Sequence, residues 1–138
     1  MLEIYHFGKL ITKFVINYLL LYRRNKMNIF NKSSIIDFFT KHTNSKLPPE
    51  IWYEDVTSKH WKTPNELKSD YGANVSVLKN NRAVFDIKGN TYRLIAELNY
   101  KRGWLFIKFI GTHSEYDKID AHTINFFKPK KKSNPKKN

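Results

Sequence analysis

Between Arg82 and Asp120 apolar residues recur at every second position and are interrupted by glycine turns. Val84, Phe85 and Ile87 precede Gly89-Asn90; Tyr92, Leu94, Ala96, Leu98 and Tyr100 follow; Lys101-Arg102-Gly103 leads to a run from Trp104 to Ile110. Period-two recurrence bounded by glycine turns predicts three antiparallel strands, each with one face in a core. Successive side chains on a strand point to opposite faces, so Arg93 and Glu97 are expected opposite Leu94 and Leu98. If Leu105, Ile107 and Phe109 face the core, Lys108 joins Arg93 on the open face, beside Trp104 and Phe106. Arg82, Asp86 and Lys88 share the corresponding parity in the first strand. The expectation is a basic, aromatic-flecked sheet face, although exposed strand faces are ordinarily polar and parity alone does not make a site.

The strands are preceded by helical signals. Asn28 to Asn31 reads as a short strand, and Ser33 or Ser34 can cap a helix through Ile35, Ile36, Phe38 and Phe39 to His42. Pro48-Pro49-Glu50 suits a first helical turn, in a helix that would bury Ile51, Trp52 and Val56. Thr63-Pro64-Asn65-Glu66 combines a cap, a proline and a reciprocal glutamate, and that helix should end near Tyr71-Gly72. Val75 to Leu78 reads as a further strand. After the sheet, Thr112-His113-Ser114-Glu115 is a second capping box, predicting a helix that carries Tyr116, Asp117, Lys118 and Asp120. Helices first and a meander afterwards make the class α+β.

Charge changes the picture at the ends. Of the formal net charge of +13, the first 26 residues carry +4 and Lys128 to Asn138 carry +6, which leaves +3 for residues 27–127. The tail after Phe127 has no apolar residue and is expected to be disordered. A polyanionic partner fits this balance, but charge alone does not separate RNA from an acidic protein or a membrane surface. Leu10 to Tyr22 is apolar except for Thr12, Lys13 and Asn17, too short for a bilayer span of roughly 20 apolar residues. Residues 1–26 admit three readings. They form a helix docked through Leu10, Phe14 and Leu21, or a helix lying on a membrane, or a stretch preceding a true start at Met27; the last is favoured slightly. The expected division is therefore an extension (1–26), one domain (27–127) and the tail (128–138). The absence of cysteine excludes disulfides and thiolate metal sites and suits a reducing cytoplasm.

No histidine pair, acidic cluster, phosphate-cradling glycine loop or nucleophile elbow has the spacing that metal, nucleotide or serine chemistry needs. No cofactor is implied. What is left is His113, Tyr116 and Asp117 at the end of the sheet, near Arg93 and Lys108. RNA can be cut without a metal, since its own 2′-OH can attack the adjacent phosphorus. That requires a group to take the 2′ proton, cations for the phosphorane charge and an acid for the leaving 5′ oxygen. Each residue also has a plain structural reading: His113 as a helix-start residue, Tyr116 as core edge, Asp117 as a dipole complement or a partner of Arg93.

Trp61-Lys62-Thr63-Pro64, Leu67-Lys68, Val84-Phe85-Asp86-Ile87, Gly89-Asn90 and Tyr92-Arg93-Leu94 stand in order before Phe109-Ile110-Gly111-Thr112-His113-Ser114-Glu115-Tyr116-Asp117-Lys118-Ile119-Asp120. Over roughly residues 28–124 this series resembles the HigB-type toxins of the RelE-like superfamily. The resemblance implies helices packed on a twisted antiparallel sheet with a short C-terminal helix. It also implies a cytoplasmic, metal-independent endoribonuclease that cleaves mRNA on the ribosome. Its partner would be a HigA-type helix-turn-helix antitoxin, through which alone it would reach operator DNA; no membrane is implied. By position, His113, Tyr116 and Asp117 fall on the family's terminal motif and Arg93 on its strand arginine. On that reading Arg93 and Lys108 stabilise charge, His113 or Tyr116 moves protons, and Asp117 orients His113 or Arg93. Arg82, Lys88 and Lys118 are candidate RNA-backbone contacts.

Overall fold

The computed structural model describes residues 2–24, 26–42, 47–89 and 91–125. The lysine tail and Asn90 of the first sheet turn lie outside the described residues. The elements run α1 (Leu2–Arg24), β1 (Asn28–Phe30), α2 (Ser33–Lys41), α3 (Leu47–Ser58), α4 (Pro64–Tyr71), β2 (Val75–Val77), β3 (Arg82–Ile87), β4 (Tyr92–Asn99), β5 (Trp104–Thr112) and α5 (His113–Tyr116). They build an α+β structure around one five-stranded sheet in the order β1-β5-β4-β3-β2. β3, β4 and β5 form the antiparallel meander read from the sequence, and β2, read there only as a further strand, extends it antiparallel to β3. The fifth, β1, pairs parallel to β5 through Asn28–Trp104, Ile29–Leu105 and Phe30–Phe106. The sheet is therefore mixed, not antiparallel throughout. The chain leaves β1 and passes through three helices before the meander returns β5 to its side.

The turns follow backbone chemistry. Asn80 and Asn81 both adopt positive φ (60° and 58°), the left-handed pair that a tight hairpin requires, between β2 and β3. Lys88 and Gly89 do the same (54° and 62°) before β4. Asparagine and glycine tolerate this region, whereas a lysine there is strained.

One sheet face carries the main core. Ala83, Phe85 and Ile87 of β3, Tyr92, Leu94, Ala96 and Leu98 of β4, and Leu105, Ile107 and Ile110 of β5 pack there against Ile35, Phe38, Trp52, Val56, Trp61 and Leu67. Phe85 is the hub: Trp52 and Tyr71 meet its ring edge-on, with centroids 5.3 Å away in each case. Such pairs add to simple area burial. The Trp61 indole donates to Asp70 Oδ2 at 2.6 Å, tying the loop before α4 to that helix. Thr63 caps α4 as expected, but the reciprocal Glu66 carboxylate accepts from the amide of Lys62, one residue earlier. Ile51, expected in the core, faces solvent instead and is 60% exposed, and Ile36 is likewise 56% exposed. Each lies on the side of its helix away from the sheet.

The alternation in β5 breaks at Lys108. Ile95 pairs with Phe109 and Ala96 with Ile107, which leaves Lys108 as the extra residue of a β-bulge. Phe109 therefore does not join Leu105 and Ile107. It turns to the opposite face and forms a second cluster with Val84 and Ile95, on which Leu78, Tyr116, Ile119, Ala121 and Ile124 pack. The face expected to be open is thus partly covered by the chain that follows β5. That chain is helical only to Tyr116; Asp117, Lys118 and Asp120 lie in turns, not in the helix expected for them.

Helix α1 buries no described side chain: every residue from Gly8 to Tyr22 is exposed, including Leu10, Phe14 and Leu21. Leu20 and Leu21 nevertheless line a groove together with Asn28, His60, Lys101 and Arg102. Among the described residues no helix is long and apolar enough to cross a membrane.

Truncating the hub gives the expected stability order. Phe85→Ala should cost about 3–5 kcal/mol, and Ile36→Ala less than about 0.5 kcal/mol, measured by urea unfolding. Comparable losses would mean that α2 packs differently.

Candidate active site

The capping box at the end of β5 positions the candidate residues. Thr112 is the N-cap; its hydroxyl accepts from the Glu115 amide at 3.2 Å, and Glu115 Oε2 accepts from the Thr112 amide at 2.8 Å. The box makes His113 the first residue of a single helical turn and Tyr116 its last. The His113 amide donates to the Thr91 carbonyl at 3.1 Å, anchoring the turn to the start of β4. Gly111 is required by space: a Cβ there would come within 2.5 Å of the Phe109 ring and 2.9 Å of Glu115 Oε2. The glycine lets the capping carboxylate and the second cluster meet.

Two short-range pairs result. His113 Nδ1 lies 3.8 Å from Asp117 Oδ1, one helical turn on, an ion pair when the imidazole is protonated. Both side chains are half exposed, so solvent screens the interaction. Arg93, directly opposite Gly111 in the β4–β5 register, lies 2.8 Å from Asp86 Oδ1 on β3 through Nη1. That buried nitrogen makes no hydrogen bond, so the contact is ionic and poorly directed. The Tyr116 ring lies 5.7 Å from the guanidinium carbon, within cation–π range. Asp117 therefore partners His113 and not Arg93, and Asp86 supplies the carboxylate for Arg93.

Lys108 stands apart from these residues. It precedes Gly111 by three residues on β5, about 10 Å along the strand. Its ammonium lies 3.7 Å from Glu97, and Glu97 also lies 3.8 Å from Arg82 Nη2. Arg82 is only 8% exposed, and its Nη1 donates to the Ala121 and Ile124 carbonyls at 3.0 and 2.9 Å. It fastens the C-terminal segment to the sheet instead of meeting solvent. Lys88, in the turn before β4, and Lys118, just after α5, are exposed. Among the described residues, no group of three or more histidines, cysteines or acids could hold a metal.

The T-H-x-E-Y-D turn on a sheet of this topology lies within the reach of a known family profile, which matches residues 45–119 and is described as HigB toxin, the RelE-like toxic component of a toxin–antitoxin system. The chain belongs to the HigB toxin family. A similar protein is the mRNA interferase HigB of Escherichia coli O6:H1, 30% identical over 98 residues that span 70% of this chain and 94% of that protein. The HigB match contains α3, α4, the β2–β5 meander and all of Arg93, Lys108, His113, Tyr116 and Asp117.

Parity placed Asp86 and Glu97 on the same face as Arg93 but did not single them out as partners of Arg93 and Lys108. Asp86 was readable as the cross-strand neighbour of Arg93, a register the turn length decides. A groove of about 730 Å³ is lined by His60, Lys62, Glu97, Lys101 and Phe106 among others. The His113 turn sits on an open surface.

Two measurements test this geometry. Gly111→Ala should cost about 1–3 kcal/mol in urea unfolding and should disturb the Thr112 and Glu115 amides. The Asp120 carboxyl is held below its ordinary pKa by hydrogen bonds from the His122 amide, first, and the Thr123 hydroxyl. A lowered folded pKa means that the turn's contribution is present above the ordinary carboxylate range and is lost as pH falls through the folded value. An acid titration followed by NMR should therefore show the His122 and Thr123 amides shifting with a midpoint below about 3.9. A midpoint at or above it would contradict the turn.

Proposed function

We propose that this chain is the toxin of a type II toxin–antitoxin system, an endoribonuclease that cleaves mRNA on the ribosome without a metal. The observation that carries the reading is the His113–Asp117 pair on the capped turn, beside Arg93 and Tyr116, inside the region matched by the HigB profile. The name of the Escherichia coli relative, an mRNA interferase, supplies the substrate class. In the proposed reaction the 2′-OH attacks the adjacent phosphorus, forming the P–O2′ bond as the P–O5′ bond breaks. The products are a 2′,3′-cyclic phosphate and a 5′-OH end.

His113 and Tyr116 carry the two proton transfers, to and from groups that an exposed turn can reach. Asp117, one helical turn on, orients the imidazole. Arg93, held by Asp86, exchanges part of that ion pair for a phosphate oxygen as charge develops. Lys108, about 10 Å along the strand, meets a different phosphate from the scissile one. Lys88 and Lys118 add backbone contacts. An exposed turn suits a substrate already ordered by another body, which is what a ribosome would provide. Residues 27–127 form the toxin domain, and a HigA-type helix-turn-helix antitoxin is the inhibitory partner, reaching operator DNA on behalf of both.

The competing reading is a non-catalytic RNA- or ribosome-binding module, favoured by the closure of Arg93 between Asp86 and Tyr116. Induced expression of wild type and His113→Ala, with mapping of RNA 5′ ends, separates the two. Growth arrest with new mRNA ends only in the wild type is expected, with a loss for His113→Ala on the order of 10²–10⁴-fold. Absence of new ends from soluble wild-type protein would leave the binding module.

A further inference from the structure

The rim of the sheet beyond the His113 turn carries an aromatic cluster that the proposed chemistry does not use. Phe30 on β1 and Phe106 on β5 are register neighbours and stack, with centroids 4.7 Å apart and planes 15° from parallel. Trp104 meets Phe30 edge-on at 5.7 Å and Phe106 at 6.2 Å. The three rings share the face opposite Ile29 and Leu105, which point into the core. Phe30 is 39% exposed, and Trp104 and Phe106 are half-buried.

Cations border these rings. The Arg102 guanidinium lies 4.7 Å from the Trp104 centroid, and the Lys108 ammonium 5.8 Å from that of Phe106. Beside Phe106 runs the groove of about 730 Å³, with Lys62 and Lys101 in its lining and Glu97 as its acid. A ring stack flanked by cations is poorly suited to an apolar protein surface, which would have to desolvate Arg102 and Lys108 without replacing their charge interactions. It suits a ligand with flat π-faces and a negative backbone.

We propose that Phe30, Trp104 and Phe106 form a base-stacking platform for single-stranded RNA, with Arg102 and Lys108 holding the adjoining phosphates. One base continues the Phe30–Phe106 stack on the exposed side of Phe30; another stacks on Trp104 or on the guanidinium plane above it. The platform lies about 17–23 Å along β5 from Gly111, so it would grip the strand a few nucleotides from the bond cut at the His113 turn. This placement rests on the endoribonuclease reading; the platform's affinity for bases does not.

The test uses the full chain and a short 2′-O-methyl RNA, which has no free 2′-OH and is not cut. Trp52 and Trp61 are buried, so a change in indole fluorescence reports chiefly on Trp104. The expected result is saturable quenching that disappears in Trp104→Phe and is absent with an abasic strand of equal length. Phe30→Leu with Phe106→Leu keeps apolar volume but removes the stacking faces, and should weaken binding on the order of tenfold or more with an unchanged circular dichroism spectrum and melting temperature.

Equal binding of the abasic strand, or unchanged affinity in the double variant, would overturn the platform in favour of plain phosphate attraction. Silence with RNA but quenching on self-association, read by sedimentation, or on adding a purified antitoxin would also overturn it, and assign the patch to a protein. New mRNA ends made equally by wild type and double variant, with equal RNA affinity, would sink the platform and leave the nuclease. Quenching by RNA without any new ends would do the reverse.

Discussion

The β-bulge at Lys108 decides how this protein uses its second sheet face. One extra residue in β5, opposite the Ile95–Ala96 step, moves Phe109 across the sheet and brings Ile110 into the main core. Phe109 then joins Val84 and Ile95 as a small apolar floor, and Tyr116, Ile119, Ala121 and Ile124 settle on it. Without that floor the chain after β5 would have nothing apolar to cover, and the His113 turn would lose its support on the sheet side. Gly111 completes the arrangement because only a residue without Cβ lets the Phe109 ring and the Glu115 carboxylate approach from the same direction.

Around this floor the charges are distributed in two groups. Asp86 and Arg93 lie at the His113 end, and Glu97, Lys108 and Arg82 lie at the other. Arg93 and Lys108 each already have a carboxylate neighbour. Such pairing lowers the cost of holding a guanidinium at low exposure, and it also orients the side chain before any ligand arrives. The price in phosphate affinity is partial neutralisation, so binding would depend on contacts beyond the cluster. The aromatic rim at Phe30, Trp104 and Phe106 offers contacts of a different kind, less sensitive to salt than the lysines.

The HigB relationship and the local geometry answer different questions. The family match assigns the chain to toxin components and covers the meander and its terminal turn. It does not distribute roles among His113, Tyr116, Asp117 and Arg93. The geometry pairs His113 with Asp117 and Arg93 with Asp86, and separates Lys108 from both. Helix α1 stands outside these arguments, with an apolar surface that no described part of the chain covers.

Much of this was legible in residue order alone. The strands of the meander, the helix cap at Thr63, the capping box at Thr112 and the core parity of β4 are local features, set by backbone sterics and by alternation over a few residues. The T-H-x-E-Y-D turn could be singled out for the same reason. Tertiary structure decided what depends on partners distant in sequence. The parallel pairing of β1 with β5 joins residues more than seventy positions apart, and no local pattern encodes it. A bulge leaves no mark on hydrophobic alternation when the residue after it is also apolar, as Phe109 and Ile110 are, so the side of Phe109 could not be read. The burial of Arg82 followed from that same bulge, because its two carbonyl partners lie in the segment that the displaced Phe109 seats on the sheet.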